Sequence, residues 1–85
     1  MISIYASEFL KSSYSFHIIG GSFSELANAA NLVNQVRNNG ASVASVLEFK
    51  NNLYRVALGS YSSLPEAQKS LKEFQESGRS CWLLK

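Results

Sequence analysis

The chain has 85 residues, 46% of them hydrophobic and 16% charged, and eight Lys and Arg against six Glu give a net charge of +2. That length builds one hydrophobic core and leaves no room for a separate catalytic lobe, while the hydrophobic content is that of a folded domain rather than a disordered tail. The cations from Lys50 to Lys85 are interleaved with glutamates instead of forming the stripe that displaces counterions from a duplex, so charge does not argue for nucleic acid. With His17 the sole histidine, Cys81 the sole cysteine and no Asp, no internal disulfide forms and a metal site or nucleophile triad has almost no material. No cofactor and no catalysis are expected.

Residues 1–13 carry neither the basic start nor the long apolar core of a signal peptide. No run in the chain approaches the roughly 20 apolar residues that span a bilayer. They read as a linker or leader ahead of a domain at 14–85, with Ile4, Tyr5, Phe9 and Leu10 placed in a short helical turn. Any anchor is expected outside this sequence.

The domain itself opens on a strand at Tyr14–Ile19, followed by a Gly-Ser-Phe-Ser turn at 21–24. A helix follows, with Leu26, Ala29, Val33 and Val36 as its apolar stripe, Ser24 as N-cap and Gly40 at the left-handed stop. A second strand at Ser42–Phe49 does not alternate cleanly and is expected to contain a bulge. The turn Lys50-Asn51-Asn52 leads into a third strand at Leu53–Leu58. A second helix then carries Leu64, Ala67, Leu71 and Phe74, with Ser63 and Glu66 as a capping box, Pro65 in the first turn and Gly78 as the stop. A fourth strand at Ser80–Leu84 completes the chain.

The two halves repeat at an offset of 38 residues: Phe16-His17-Ile18 aligns with Tyr54-Arg55-Val56, Gly21-Ser22-Phe23-Ser24 with Gly59-Ser60-Tyr61-Ser62, and Gly40 with Gly78. Two βαβ units joined by a hairpin predict an α+β split-βαβ, ferredoxin-like domain, in which a four-stranded antiparallel sheet carries both helices on one face. Alternation then turns Phe16, Ile18, Tyr54, Val56 and Leu58 toward the helices, and His17, Ile19, Arg55 and Ala57 away from them. With Cys81 and Leu83 facing the helices, Trp82 and Leu84 join the second set. This open face is the candidate binding surface.

The run Tyr54-Arg55-Val56-Ala57-Leu58-Gly59-Ser60-Tyr61 resembles the second strand-to-glycine motif of SPOR domains, and Phe16-His17-Ile18-Ile19-Gly20-Gly21-Ser22-Phe23 resembles the first. Glu66-Ala67 matches the start of the family's second helix, and the resemblance covers about 14–85. Many members have Gln where Ile19 stands. The resemblance implies a monomeric, non-catalytic domain of the periplasm or cell envelope, which takes a membrane-anchored or exported parent protein to the division septum. Its implied ligand is peptidoglycan glycan strands denuded of stem peptides, with His17, Ile19, Arg55, Ala57, Trp82 and Leu84 as the glycan-binding face. Indoles stack on pyranose faces, and a guanidinium holds a lactyl carboxylate bidentately. The bland alternatives are an Arg55 paired with Glu48 across the strands, a Trp82 buried in the core and a half-buried His17. RNA-recognition motifs share the topology, but their third strand carries aromatics on the open face, whereas the only aromatic in 53–58 is Tyr54, facing inward. A protein-interaction module remains the other reading.

Overall fold

The computed structural model describes residues 4–6, 14–41 and 43–85. Their order is β1 (Phe16–Phe23), α1 (Leu26–Asn38), β2 (Ser45–Lys50), β3 (Leu53–Tyr61), α2 (Leu64–Glu76) and β4 (Trp82–Leu84). The sheet order is β2-β3-β1-β4, with every neighbouring pair antiparallel. This is the expected split-βαβ arrangement, and both helices pack on one face. One helix-side cluster joins Ile18, Val36, Ala44, Leu58 and Ala67; another joins Ala29, Val33, Val46 and Val56.

β1 and β3 run past their expected ends, through the glycines and serines assigned to turns. The reason lies in their mutual pairing, which holds from Phe16 opposite Tyr61 to Phe23 opposite Tyr54. Two register shifts in the middle place Leu58 and Gly20 as the extra residues of their strands. A Cβ on Gly20 would lie 2.7 Å from Leu58 Cδ2 and 2.8 Å from its Cγ, so glycine is what allows the buried leucine to fold over the bulge. β4, expected from Ser80, begins only at Trp82 and pairs with β1 for three residues. β2 begins at Ser45 and has its expected bulge, between Val46 and Glu48.

Local signals govern the connections. Asn51 and Asn52 both adopt positive φ, 53° and 64°, the backbone of a two-residue type I′ hairpin, which asparagine tolerates best after glycine. Gly40 and Gly78, at φ 105° and 93°, close Schellman motifs: Ala41 N–H donates to the Val36 carbonyl at 2.8 Å and Arg79 N–H to that of Phe74 at 3.1 Å. Arg37, in the last turn of α1, donates from Nε to the Ala44 carbonyl at 2.7 Å and ties the helix to the start of β2. Ser63 caps α2 by accepting from Glu66 N–H at 3.4 Å, with Pro65 in the first turn. The expectation at α1 is corrected: Glu25, not Ser24, occupies the N-cap, and no side chain there bonds the helix.

The leader also departs from expectation. Tyr5 forms a parallel bridge with Val46, so Ile4–Ala6 is extended along β2 rather than helical. Phe9 and Leu10 lie outside the described residues.

Candidate ligand face of the sheet

Register and alternation assemble a second face, turned away from the helices. One row across it runs Ser45, Ala57, Ile19 and Trp82, from β2 through β3 and β1 to β4. A second row runs Ser60, His17 and Leu84, and a third places Arg55 between Ser22 and Glu48. All six expected site residues therefore share this face. Trp82 and Arg55 lie about two strand spacings apart and two residues off in register, roughly 12 Å between Cα atoms.

Sharing a face is not the same as being open to solvent. Trp82 stands out, 46% exposed at the end of the first row. Leu84 and Arg55 are half-buried, and Lys85 beside Leu84 is exposed. Three of the six are closed, which corrects the expectation of an outward surface. Ile19 and Ala57 are 0% and 1% exposed, because they form a third buried cluster with Leu47, against which Ala6 and Leu84 pack. His17 is 8% exposed, its Nδ1 sharing a 2.8 Å hydrogen bond with Ser60 Oγ, its neighbour across the strands. A branched aliphatic at position 19 suits this closure better than an amide would, since an amide buried there needs partners.

The sequence reading missed Leu47 and Ser45. Leu47 was hidden by the bulge that shifts the phase of β2 just after Val46. Ser45 is buried with its Oγ unpaired among the described residues, although its pairing opposite Ala57 would have placed it on this face once the hairpin register was known. Ser60 carries the one signal available in advance: it is the residue across from His17 if the two repeated strands pair with each other.

Cys81 lies on the helix side, where partial burial pushes its thiol above the usual range against the pull of Arg79. A groove of about 650 Å³ between the C-terminal ends of the helices, with Val36 and Phe74 in its wall beside Glu73 and Arg79, contains none of the six. No group of three or more potential metal ligands occurs among the described residues. No helix among them is long and apolar enough to cross a membrane.

Two helices backing a sheet whose other face carries an indole and a guanidinium define a small α+β binding domain. The aromatics of β3 do not suit base stacking, since Tyr54 and Tyr61 both pack on the helix side. The family model of the SPOR domain matches residues 12–85, and the chain belongs to that family. It is a family of binding domains, and the chain is not an enzyme. Among solved structures, the chain is similar to the solution structure of the peptidoglycan binding domain of the B. subtilis cell wall lytic enzyme CwlC. The match has a TM-score of 0.65 and 23% identity, and covers 81% of this chain and 85% of that one. No curated protein matches the chain.

Proposed function

We propose that this domain binds peptidoglycan, specifically glycan strands denuded of their stem peptides, and so carries a parent protein to the division septum of the cell envelope. Membership of the SPOR family is the observation that carries the reading. The geometry supplies a mode of contact. Trp82, exposed at the sheet margin, offers a broad apolar face to a pyranose ring and an indole N–H to a hydroxyl. Arg55 supplies a fork matched to a carboxylate, and only a muramic acid freed of its peptide has its lactyl carboxylate available. Lys85 adds a point charge beside Leu84. The remaining expected residues, His17, Ile19 and Ala57, support this surface from beneath, with Leu84 between the two roles.

The test is retention on purified sacculi before and after an amidase strips the stem peptides. Binding should rise on amidase treatment and fall several-fold in Trp82→Ala and in Arg55→Glu, both still folded by circular dichroism. Equal retention of wild type and Arg55→Glu would remove the carboxylate contact. Absence of retention on either preparation would remove the glycan reading.

A further inference from the structure

Three residues at the start of the chain are fastened to the edge of β2 from both sides. Val46 N–H donates to the Ile4 carbonyl, and Ala6 N–H donates to the Val46 carbonyl at 2.9 Å. Between them Tyr5 makes the parallel bridge, its side chain about half exposed. The flanking side chains reach both faces of the sheet: Ile4 packs against the helix-side cluster of Ala29, Val33, Val46 and Val56, and Ala6 against the far-side cluster of Ile19, Leu47 and Ala57. The edge of β2 is thus covered by the chain's own backbone, and the same contact sets Ala6 on the face that carries the expected ligand residues.

A second observation bears on that face independently. Ser45 is 4% exposed, adjoins Val46 and points to the far side with Ala57, and its hydroxyl finds no hydrogen-bond partner among the described residues. Native structures rarely leave such a group unpaired without a reason. Ser45 lies one residue from the single bridge that holds this short strand, so a departure of the strand is what would bring water or a ligand hydroxyl to it.

We propose that Ile4–Ala6 is an intramolecular strap: docked on β2 it keeps the far face closed, and released from β2 it opens Ile19, Leu47 and Ala57 and gives Ser45 Oγ a partner. The ligand that benefits rests on the glycan reading above; the strap itself does not. Release joins Trp82 and Arg55 through a continuous surface from β4 to β2, so the apparent affinity of the domain is its intrinsic affinity scaled down by the small fraction of molecules that are open.

The test uses the full chain. Ala6→Pro removes the N–H that Val46 accepts, whereas Ala6→Ser retains it. A reporter thiol at Leu47→Cys, with Ala57→Cys as an alternative site should the first fail to fold, is placed in a Cys81→Ser background and its rate of modification by a small disulfide reagent is measured. Ala6→Pro should speed labelling at least tenfold, and Ala6→Ser should leave it near the parent rate. Amide exchange gives a second readout: Val46 should lose protection while Ile18 and Val56 in the central strands keep theirs. An unchanged labelling rate, or loss of protection at all three amides together, would overturn the strap. Amidase-treated sacculi then separate the two readings. Several-fold stronger retention of Ala6→Pro joins strap to ligand; faster labelling with no retention of either protein upholds the strap and removes the glycan.

Discussion

Both faces of this sheet contain fully buried side chains, to different extents and by different means. On the helix side, Ile18, Val46, Val56 and Leu58 interlock with the apolar stripes of both helices, and no buried polar side chain lies there among the described residues. On the far side, the buried cluster among the described residues is Ile19, Leu47 and Ala57, and on the same face lie the His17–Ser60 pair and Ser45, whose hydroxyl has no partner among the described residues. Apolar burial stabilises in proportion to area on either face. The buried polar side chains among the described residues, His17 and Ser45, both lie on the far side. The helix side is therefore the larger, wholly apolar core, and the far side the smaller one with polar neighbours.

The sharpest way to break this comparison is a matched truncation of adjacent residues. Ile18 and Ile19 are both fully buried and point to opposite faces. Ile18→Ala should cost near the upper end of the roughly 2–5 kcal/mol range for such changes, because the helices hold the cavity open. Ile19→Ala should fall near the lower end, because a small cluster capped by Ala6 and Leu84 collapses more easily. Urea midpoints of the two variants measure the difference; equal shifts would mean that the faces are one continuous core.

Next in size is the bulge that joins the faces. Gly20→Ala drives a methyl into the Leu58 side chain at its branch point, so overpacking should cost about 1–3 kcal/mol. The same substitution in a Leu58→Ala background should cost much less, and the coupling from that double-mutant cycle measures how far Gly20 is retained for Leu58 alone. Smaller again, and of opposite sign, is Ser45→Ala. Removing a buried hydroxyl that lacks a partner should raise stability by up to about 1 kcal/mol, since the desolvation of that group has nothing to offset it. A loss of stability would show that Ser45 is already satisfied in solution.

Architecture was legible in the sequence because it rests on signals that are local or periodic. Apolar spacing at Leu26, Ala29, Val33 and Val36, the glycine stops, the paired asparagines and the Ser63 cap each act within a few residues. Strand ends and exposure were not legible, for a common reason. Whether Gly21-Ser22-Phe23 is turn or strand depends on β3 lying alongside it, and whether Ile19 is open depends on what covers its face. Both are long-range facts. The direction of each site residue followed from alternation. Its accessibility depended on the register shift at Leu47 and on Ala6, remote in sequence from both Ile19 and Ala57. Ser24 failed as a cap for a subtler reason. The two halves look alike at Ser24 and Ser62, yet each helix takes its cap one residue later, where the first half has Glu25 and the second Ser63.

That last difference yields the finest test of how alike the two halves are. Serine at an N-cap accepts from the backbone N–H two or three residues on, which satisfies one of four donors that a helix start leaves unpaired. Ser63 does so for Glu66 across an exposed and rather long 3.4 Å, so Ser63→Ala should cost only about 0.5–1 kcal/mol. Ser24 precedes a glutamate cap that makes no such bond, and Ser24→Ala should leave the urea midpoint unchanged. The informative variant is Glu25→Ser, which installs in the first helix the cap that the second already has and should recover about 0.5 kcal/mol if the backbone there is already in the extended conformation a cap requires. Glu25 is in that conformation, at φ −115° and ψ 132°, close to the −129° and 147° of Ser63. A gain would mean that the halves differ at this point in side chain alone; no gain would mean that the docking of α1 on β3, rather than its first turn, sets where the helix begins.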